Sequence, residues 1–300
     1  MIRIRKKYIP KPLKEGDEIR AISVSSPIEN NKQCLEGLKI LEGWGLKCPN
    51  YSFTGRQWGY LSGPDDVRYK ELHEKTNAKL TIFTRGGWGA ARLLEKPQRW
   101  KKGFFLGFSD ITSLHFSRLT SGFSGCIHGP LLNTLSSEPK WSQERLKSLL
   151  FGKPMPPIYG ESLFKGKVSG PLVVANLTVA TNLIGSSHFP DLKNSILILE
   201  DIGEEPYRID RMLTQWRLAG ILESIAAIGF GSFEKCESNS SDRKDNFSLQ
   251  DVLLDRTKDL GIPIIHKLPI GHCIGNAALP LGETAILDGN NGVLKLIDEI

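Results

Sequence analysis

The sequence predicts an α/β protein in two parts: an N-terminal α/β domain with a parallel sheet and a nucleophile elbow, and a C-terminal domain of mixed α+β character. Three observations carry this expectation. Short apolar runs alternate with helix-like segments as far as about residue 150, the pattern of strand–helix–strand units around a parallel sheet. The stretch Gly152–Gly160 (GKPMPPIYG) is rich in proline and glycine, lacks a helical pattern and reads as a linker. Beyond it the texture changes to strands, separated helices and a hairpin signal. The expected boundaries are 1–151, a linker over 152–165, and 166–300.

In chain order, Glu18–Val24 (EIRAISV) reads as the first strand and ends in the turn Ser25-Ser26-Pro27. Asn31–Trp44 places Leu35, Leu38 and Leu41 at helical spacing and stops at Gly45. Pro64–Asn77 is a polar helix. Lys79–Thr84 (KLTIFT) is a strand that runs into the glycine-rich turn Arg85–Gly89 (RGGWG), with a helix expected from Ala90. Phe104, Phe105 and Leu106 form a buried strand that ends at Gly107-Phe108-Ser109-Asp110, where a further helix opens. In the second half, Ser195–Leu199 (SILIL) and Ile225–Ile228 read as strands. Helices are expected over Arg208–Leu218, with Ile209, Met212, Leu213 and Trp216 on one face, and over Ser248–Leu260. Glu234–Asn246 is a polar loop, and Ala285–Leu287 and Val293–Ile297 flank the hairpin signal DGNNG.

Composition narrows the class. With 300 residues, 40% hydrophobic and 24% charged, the chain is an ordinary globular protein able to bury a large core. No apolar run approaches the ~20 residues of a membrane helix, and no apolar h-region follows the basic start MIRIRKKYIP. Five scattered cysteines without a C-x-x-C pair read as reduced thiols, so a cytoplasmic location is expected. Cys236, His266, His272 and Cys273 lack a recognised ligand spacing, so no metal is expected. Part of the net charge of +6 sits on Arg3, Arg5, Lys6, Lys7, Lys11 and Lys14, which read as a solvated arm. No aromatic-interleaved basic stripe marks a nucleic-acid surface; a mildly basic protein suits an anionic small substrate.

Parallel sheets collect functional groups at the carboxyl ends of their strands, where RGGWG and GFSD both fall. A strand that turns sharply into a helix presents Ser109 beside helix N-terminal N–H groups able to hold an oxyanion. The motif carries Ile111 in place of the last glycine of G-x-S-x-G, and capping of the helix by Ser109 or Asp110 is the alternative reading. A serine nucleophile needs a base, and the base an orienting acceptor. Of six histidines, His73 reads as solvent-facing and His115 as pointing away from the elbow. His128 and His272 both sit at strand–turn junctions, and spacing does not separate them. For the acceptor, Glu200 ends SILIL, where an unpaired carboxylate is costly. Asp201, Glu204 and Glu205 are rivals whose other role is helix capping.

Several segments together resemble the LD-carboxypeptidases, serine peptidases that include the murein tetrapeptide carboxypeptidases and, as relatives, the microcin C immunity peptidases. They are GDEI at 16–19, GYLSG at 59–63, RGGWGAARLL at 85–94, GFSDIT at 107–112, HGP at 128–130, LEDIGEEPYRIDRML at 199–213, and GH with LPLG within 271–282. The resemblance implies a Ser-Glu-His triad of Ser109, Glu200 and His272. It also implies a C-terminal domain with a barrel-like β core, and a site between the domains. The substrate it implies is a small peptide ending in a D-amino acid, such as the D-alanine of a murein tetrapeptide. No cofactor, nucleic acid or membrane is expected as a partner, and family members are often homodimers. Alongside the triad, the backbone N–H groups of Gly87 and Asp110 are expected as the oxyanion hole. Arg85, Gly86 and Trp88 are expected to bind substrate, with Arg92 as a second cation for its carboxylate. The alternatives are a microcin-immunity-like peptidase cleaving aminoacyl-nucleotide analogues, and a serine esterase. One departure stands out: Val174-Ala175-Asn176-Leu177 replaces the Gly-Gly-Asn-Leu turn common in the family.

Overall fold

Four buried strands build the first sheet of the computed structural model, which describes residues 8–49, 51, 55–237 and 247–297. They are β1 (Ile19–Ile22), β2 (Leu80–Phe83), β3 (Phe104–Gly107) and β4 (Cys126–His128). All four run parallel in that order, covered on both faces as such sheets require. Alternation along the strands sorts the core into two sides. Leu80, Ile82, Phe104 and Leu106 pack with Leu38 and Leu41, whereas Phe83 and Phe105 pack with Phe116. Around the sheet lie α1 (Asn31–Gly43), α2 (Asp65–His73), α3 (Thr112–Thr120), α4 (Leu132–Leu135) and α5 (Lys140–Leu150). Asn30 caps α1 by accepting from the Lys32 N–H at 2.8 Å. The helix expected from Ala90 is only a tight 3₁₀ turn, Ala91–Glu95, which gives way to an extended backbone at Lys96 just before Pro97.

The second sheet has eight strands. They are β5 (Ile158–Tyr159), β6 (Glu161–Phe164), β7 (Lys167–Asn176), β8 (Ile196–Ile202), β9 (Ala227–Glu234), β10 (Ile264–His266), β12 (Thr284–Asp288) and β13 (Val293–Leu296). Their order is β5-β13-β12-β7-β8-β9-β10-β6, parallel from β7 to β10 and antiparallel on both flanks. The two rims, β5 and β6, are separated in sequence only by Gly160, so the sheet curls into a nearly closed barrel. Gly160 sits where a side chain would run into the His266 carbonyl, and its N–H donates to Gly292 O at 2.9 Å. Helices α6 (Leu177–Thr181), α7 (Pro206–Leu218) and α8 (Leu249–Thr257) complete this half. As its spacing predicts, α7 buries Ile209, Met212, Leu213 and Trp216.

Two features tie the halves together. The short strand β11 (Leu279–Pro280), late in the chain, returns to the first sheet and pairs antiparallel with β4. One apolar cluster also runs unbroken from Phe83, Phe105 and Phe116 to Val173, Leu197 and Trp216.

Several expectations change. The expected linker over 152–165 carries β5 and β6, which form because β13 and β10 offer them free edges. β8 runs past SILIL to Ile202, so Glu200 lies inside the strand, and the strand expected at Ile225–Ile228 is shifted to β9. The long strand β7 has no counterpart among the expectations. Residues 238–246 of the polar loop, and Arg3, Arg5, Lys6 and Lys7 of the basic arm, lie outside the described residues. Among the described residues no helix is long and apolar enough to cross a membrane.

Candidate active site

The end of β3 is closely packed. A Cβ on Gly107 would press on Ile111, Leu131 and Phe83 at 3.1–3.2 Å. Two residues on, Ser109 adopts a left-handed φ of +63° at the start of a 3₁₀ turn, Ser109–Ile111, that leads into α3. A non-glycine residue in this region stores ~1–3 kcal/mol of backbone strain, held here by the surrounding packing. The result is a half-buried serine hydroxyl between two buried neighbours, Phe108 and Asp110.

The glycine-rich turn after β2 closes over it. A Cβ on Gly86 would stand 3.2 Å from Ser109 Oγ, so the Gly86 backbone lies directly against the hydroxyl. Gly87, at φ +106°, packs on Ser26, whose Oγ accepts from the Trp88 N–H at 3.3 Å. The N–H groups of Gly87 and Asp110 donate to no acceptor among the described residues. The Asp110 side chain does not cap α3. Its Oδ2 accepts from Ser25 Oγ at 2.5 Å and from the Ala90 N–H at 2.8 Å, binding the elbow to the loops after β1 and β2. Burial pushes its carboxyl up to about 6.

The other half supplies a carboxylate–imidazole pair. Glu200 is fully buried in β8, beside a register shift between Leu199 and Asp201. Its Oε2 accepts from His272 Nδ1 at 2.7 Å. Burial raises the Glu200 carboxyl, and the His272 contact opposes that rise. Gly271 has φ +102° and passes so close to Glu200 that no side chain fits between them. The imidazole also packs on Phe108, ring centroids 4.8 Å apart, which sets the pair beside the residue that precedes Ser109. A hydrogen bond from the Asn176 N–H to Thr112 Oγ1, 3.0 Å, joins the end of β7 to the start of α3. Ala175, at the departure from the family turn, is fully buried in the shared core.

The structure separates the remaining candidates. His128 is fully buried with neither ring nitrogen bonded, and desolvation drives its pKa well below the usual range. His115 points back at the Gly107 carbonyl, 3.0 Å away. His73, expected to face solvent, is half-buried against Arg99 O and Gln98. Asp201 caps α6 through Thr178 and binds Asn176, Glu204 pairs with Arg208 at 3.5 Å, and Glu205 stands at the N-terminus of α7. Arg92, expected to bind a carboxylate, is engaged with both oxygens of Asp65. Arg85 lies at a recess of about 330 Å³ with Glu29, Gln33 and Asn133, and pairs with Glu29 at 2.9 Å. Trp88 is 38% exposed. Sequence reasoning missed Glu138, which binds the loop carrying His272 from the other half of the molecule. Among the described residues no group of three or more His, Cys, Asp or Glu side chains could hold a metal ion.

A parallel sheet joined to a barrel-like sheet in this way has known counterparts. Models of the LD-carboxypeptidase N-terminal and C-terminal domains match residues 19–129 and 169–287. A Synechocystis protein whose name places it provisionally among the carboxypeptidases is 41% identical over 96% of this chain and 97% of its own. The murein tetrapeptide carboxypeptidase of Pseudomonas aeruginosa is 32% identical, covering 84% of this chain and 87% of that one. The microcin C7 self immunity protein MccF superposes with a TM-score of 0.83 at 22% identity, over 97% of this chain and 98% of that one. The muramoyltetrapeptide carboxypeptidase of Oxalobacter formigenes gives 0.81 at 24% identity, over 93% and 97%. These two share the fold. The chain belongs to the LD-carboxypeptidase family, and is therefore a serine peptidase of carboxypeptidase type.

Proposed function

We propose that the chain hydrolyses the bond before a C-terminal D-amino acid, the terminal D-alanine of a murein tetrapeptide, by a Ser-Glu-His triad. The observation that carries this reading is the 2.7 Å bond between Glu200 and His272, set beside a left-handed Ser109 by the Phe108–His272 contact.

In this mechanism His272 Nε2 takes the proton from Ser109 Oγ as the oxygen attacks the substrate carbonyl. Glu200 fixes the tautomer with the proton on Nδ1 and stabilises the imidazolium that forms. The new oxyanion lies against the N–H groups of Gly87 and Asp110. One such donor is worth ~3–4 kcal/mol in the transition state. The imidazolium then gives its proton to the departing amine and the D-amino acid leaves. Water, deprotonated by the same imidazole, attacks the acyl-serine ester and restores Ser109. Arg85 is the cation closest in sequence to the elbow's glycine turn that has nitrogens beyond those given to Glu29 and Pro27; it meets the substrate carboxylate. Trp88 forms one wall.

The test is mass spectrometry of murein tetrapeptide incubated with the protein. Loss of one alanine is expected. An intact tetrapeptide, with cleavage of an aminoacyl sulfamoyl nucleotide in its place, would favour the microcin-immunity-like reading, to which exposed Trp88 would contribute a stacking face.

A further inference from the structure

We propose that Glu138 is a positioning residue for the catalytic base: from the N-terminal half it clamps the loop that presents His272. The inference rests on the triad reading above. Glu138 lies two residues before the start of α5, and its Oε2 accepts from two consecutive backbone N–H groups, Gly275 at 3.0 Å and Asn276 at 2.9 Å. The side chain is buried, and a buried carboxylate is tolerated only where donors satisfy it. Here both donors belong to the loop after β10.

The clamp passes directly to the base. Asn276, held at its N–H by Glu138, turns its own Oδ1 back to the Gly271 N–H at 2.9 Å, next to His272. Ser142, on α5, donates to the Asn276 carbonyl at 2.9 Å. Trp141, also on α5, covers Gly275 so closely that a Cβ there would meet the indole. The loop is thus a short ring closed between Gly271 and Asn276, fastened to α5 on one side and resting on Glu200 at Gly271 on the other. No side chain inside the ring makes this attachment; Glu138 reaches it from 137 residues earlier in the chain. Without the clamp the loop keeps its His272, its Glu200 and the bond from Ser142, and loses the two amide hydrogen bonds that fasten Gly275 and Asn276 to the N-terminal half.

The experiment compares kcat and KM on an LD-peptide for the unmodified protein, Glu138→Ala, Glu138→Gln and Ser109→Ala, with the His272 Nδ1–H proton followed by NMR. Both loop N–H groups bind a single carboxylate oxygen, so the carbonyl oxygen of Glu138→Gln can take both. A misplaced catalytic group costs on the order of a hundredfold. Glu138→Ala is therefore expected to lower kcat about a hundredfold with KM changed less than about twofold. It should also broaden or shift the Nδ1–H resonance, and Glu138→Gln should restore most of the loss. If Glu138 only props the fold, kcat per folded molecule and the Nδ1–H signal stay as in the unmodified protein, and the proposal is overturned. Should Glu138→Ala not fold, Glu138→Asp, one methylene short of the loop, is expected to show the same kcat loss; unchanged kcat there overturns the proposal. Activity surviving Ser109→Ala removes the triad reading itself, whereas a dead Ser109→Ala beside a fully active Glu138→Ala removes the clamp alone.

Discussion

Gly271 meets Glu200 with no room for a side chain between them: a Cβ added to Gly271 would lie 2.7 Å from Glu200 Cβ, and the glycine holds φ at +102°. Gly271→Ala must therefore strain the backbone or push Glu200 aside. Either change displaces His272, and kcat should fall about a hundredfold. Folding stability should drop by ~1–3 kcal/mol. Steady-state kinetics beside a denaturant titration checks both; normal kcat would show that the carboxylate and the loop are not coupled.

Ser109→Ala should cut hydrolysis by roughly four to six orders of magnitude while leaving the melting temperature within a few degrees. Ser109→Gly should be equally inactive. Because φ is +63°, glycine also releases left-handed strain of ~1–2 kcal/mol, offset in part by its larger entropy loss on folding, so this variant should be no less stable than Ser109→Ala. Calorimetry of the two variants side by side decides the point.

Glu200→Gln keeps the shape of the acceptor and removes its charge. The imidazole then loses the partner that holds its tautomer and stabilises its cation, and kcat should fall by roughly 10⁴-fold with little change in KM. A variant retaining more than a tenth of normal kcat would count against Glu200 as the orienting acid.

Asp110 makes a prediction about pH. Its carboxyl titrates near 6 when folded and near 3.8 otherwise, because burial disfavours the charge more than Ser25 and Ala90 favour it. The folded state thus binds this proton more tightly. The contribution is fully stabilising below about pH 4, fades as pH rises through about 6, and at neutral pH the ionised group costs up to about 3 kcal/mol. Asp110→Asn should accordingly gain stability relative to the unmodified protein between pH 4 and pH 7. Melting curves across that range should show the difference growing with pH; a flat difference would contradict it.

His115 runs the other way. Burial lowers its pKa to about 4, so the neutral ring's contribution holds above the ordinary 6.5 and is lost as pH falls through about 4. Replacing it with Gln should flatten the acid side of the melting-temperature profile, and an unchanged acid slope would exclude it.

What could be read from the sequence was whatever is local. The run FFLGFSD announces a strand, a sharp turn and a helix within a dozen residues, and DGNNG announces its hairpin. β5 and β6 escaped notice because proline and glycine dominate their surroundings, and they become strands only when β13 and β10 pair with them. Glu200 and His272 stand 72 residues apart, a pairing that no spacing rule contains; the family resemblance, not periodicity, chose His272 over His128. Arg92 looked available because its partner Asp65 lies on a different helix. Glu138 carried no signal at all, since its meaning depends on two backbone amides from the far end of the chain.

The seam at Gly160, where the first and last strands of the barrel meet, has a bearing on solubility. β5 and β6 each pair on one side alone, and as strands of two and four residues joined through one glycine they offer a foreign strand only a short ladder on which to template itself. A bulky residue at that joint would collide with the His266 carbonyl and prise the margins apart. The damage would surface first as clumping of otherwise folded molecules, before any fault at Ser109, Glu200 or His272.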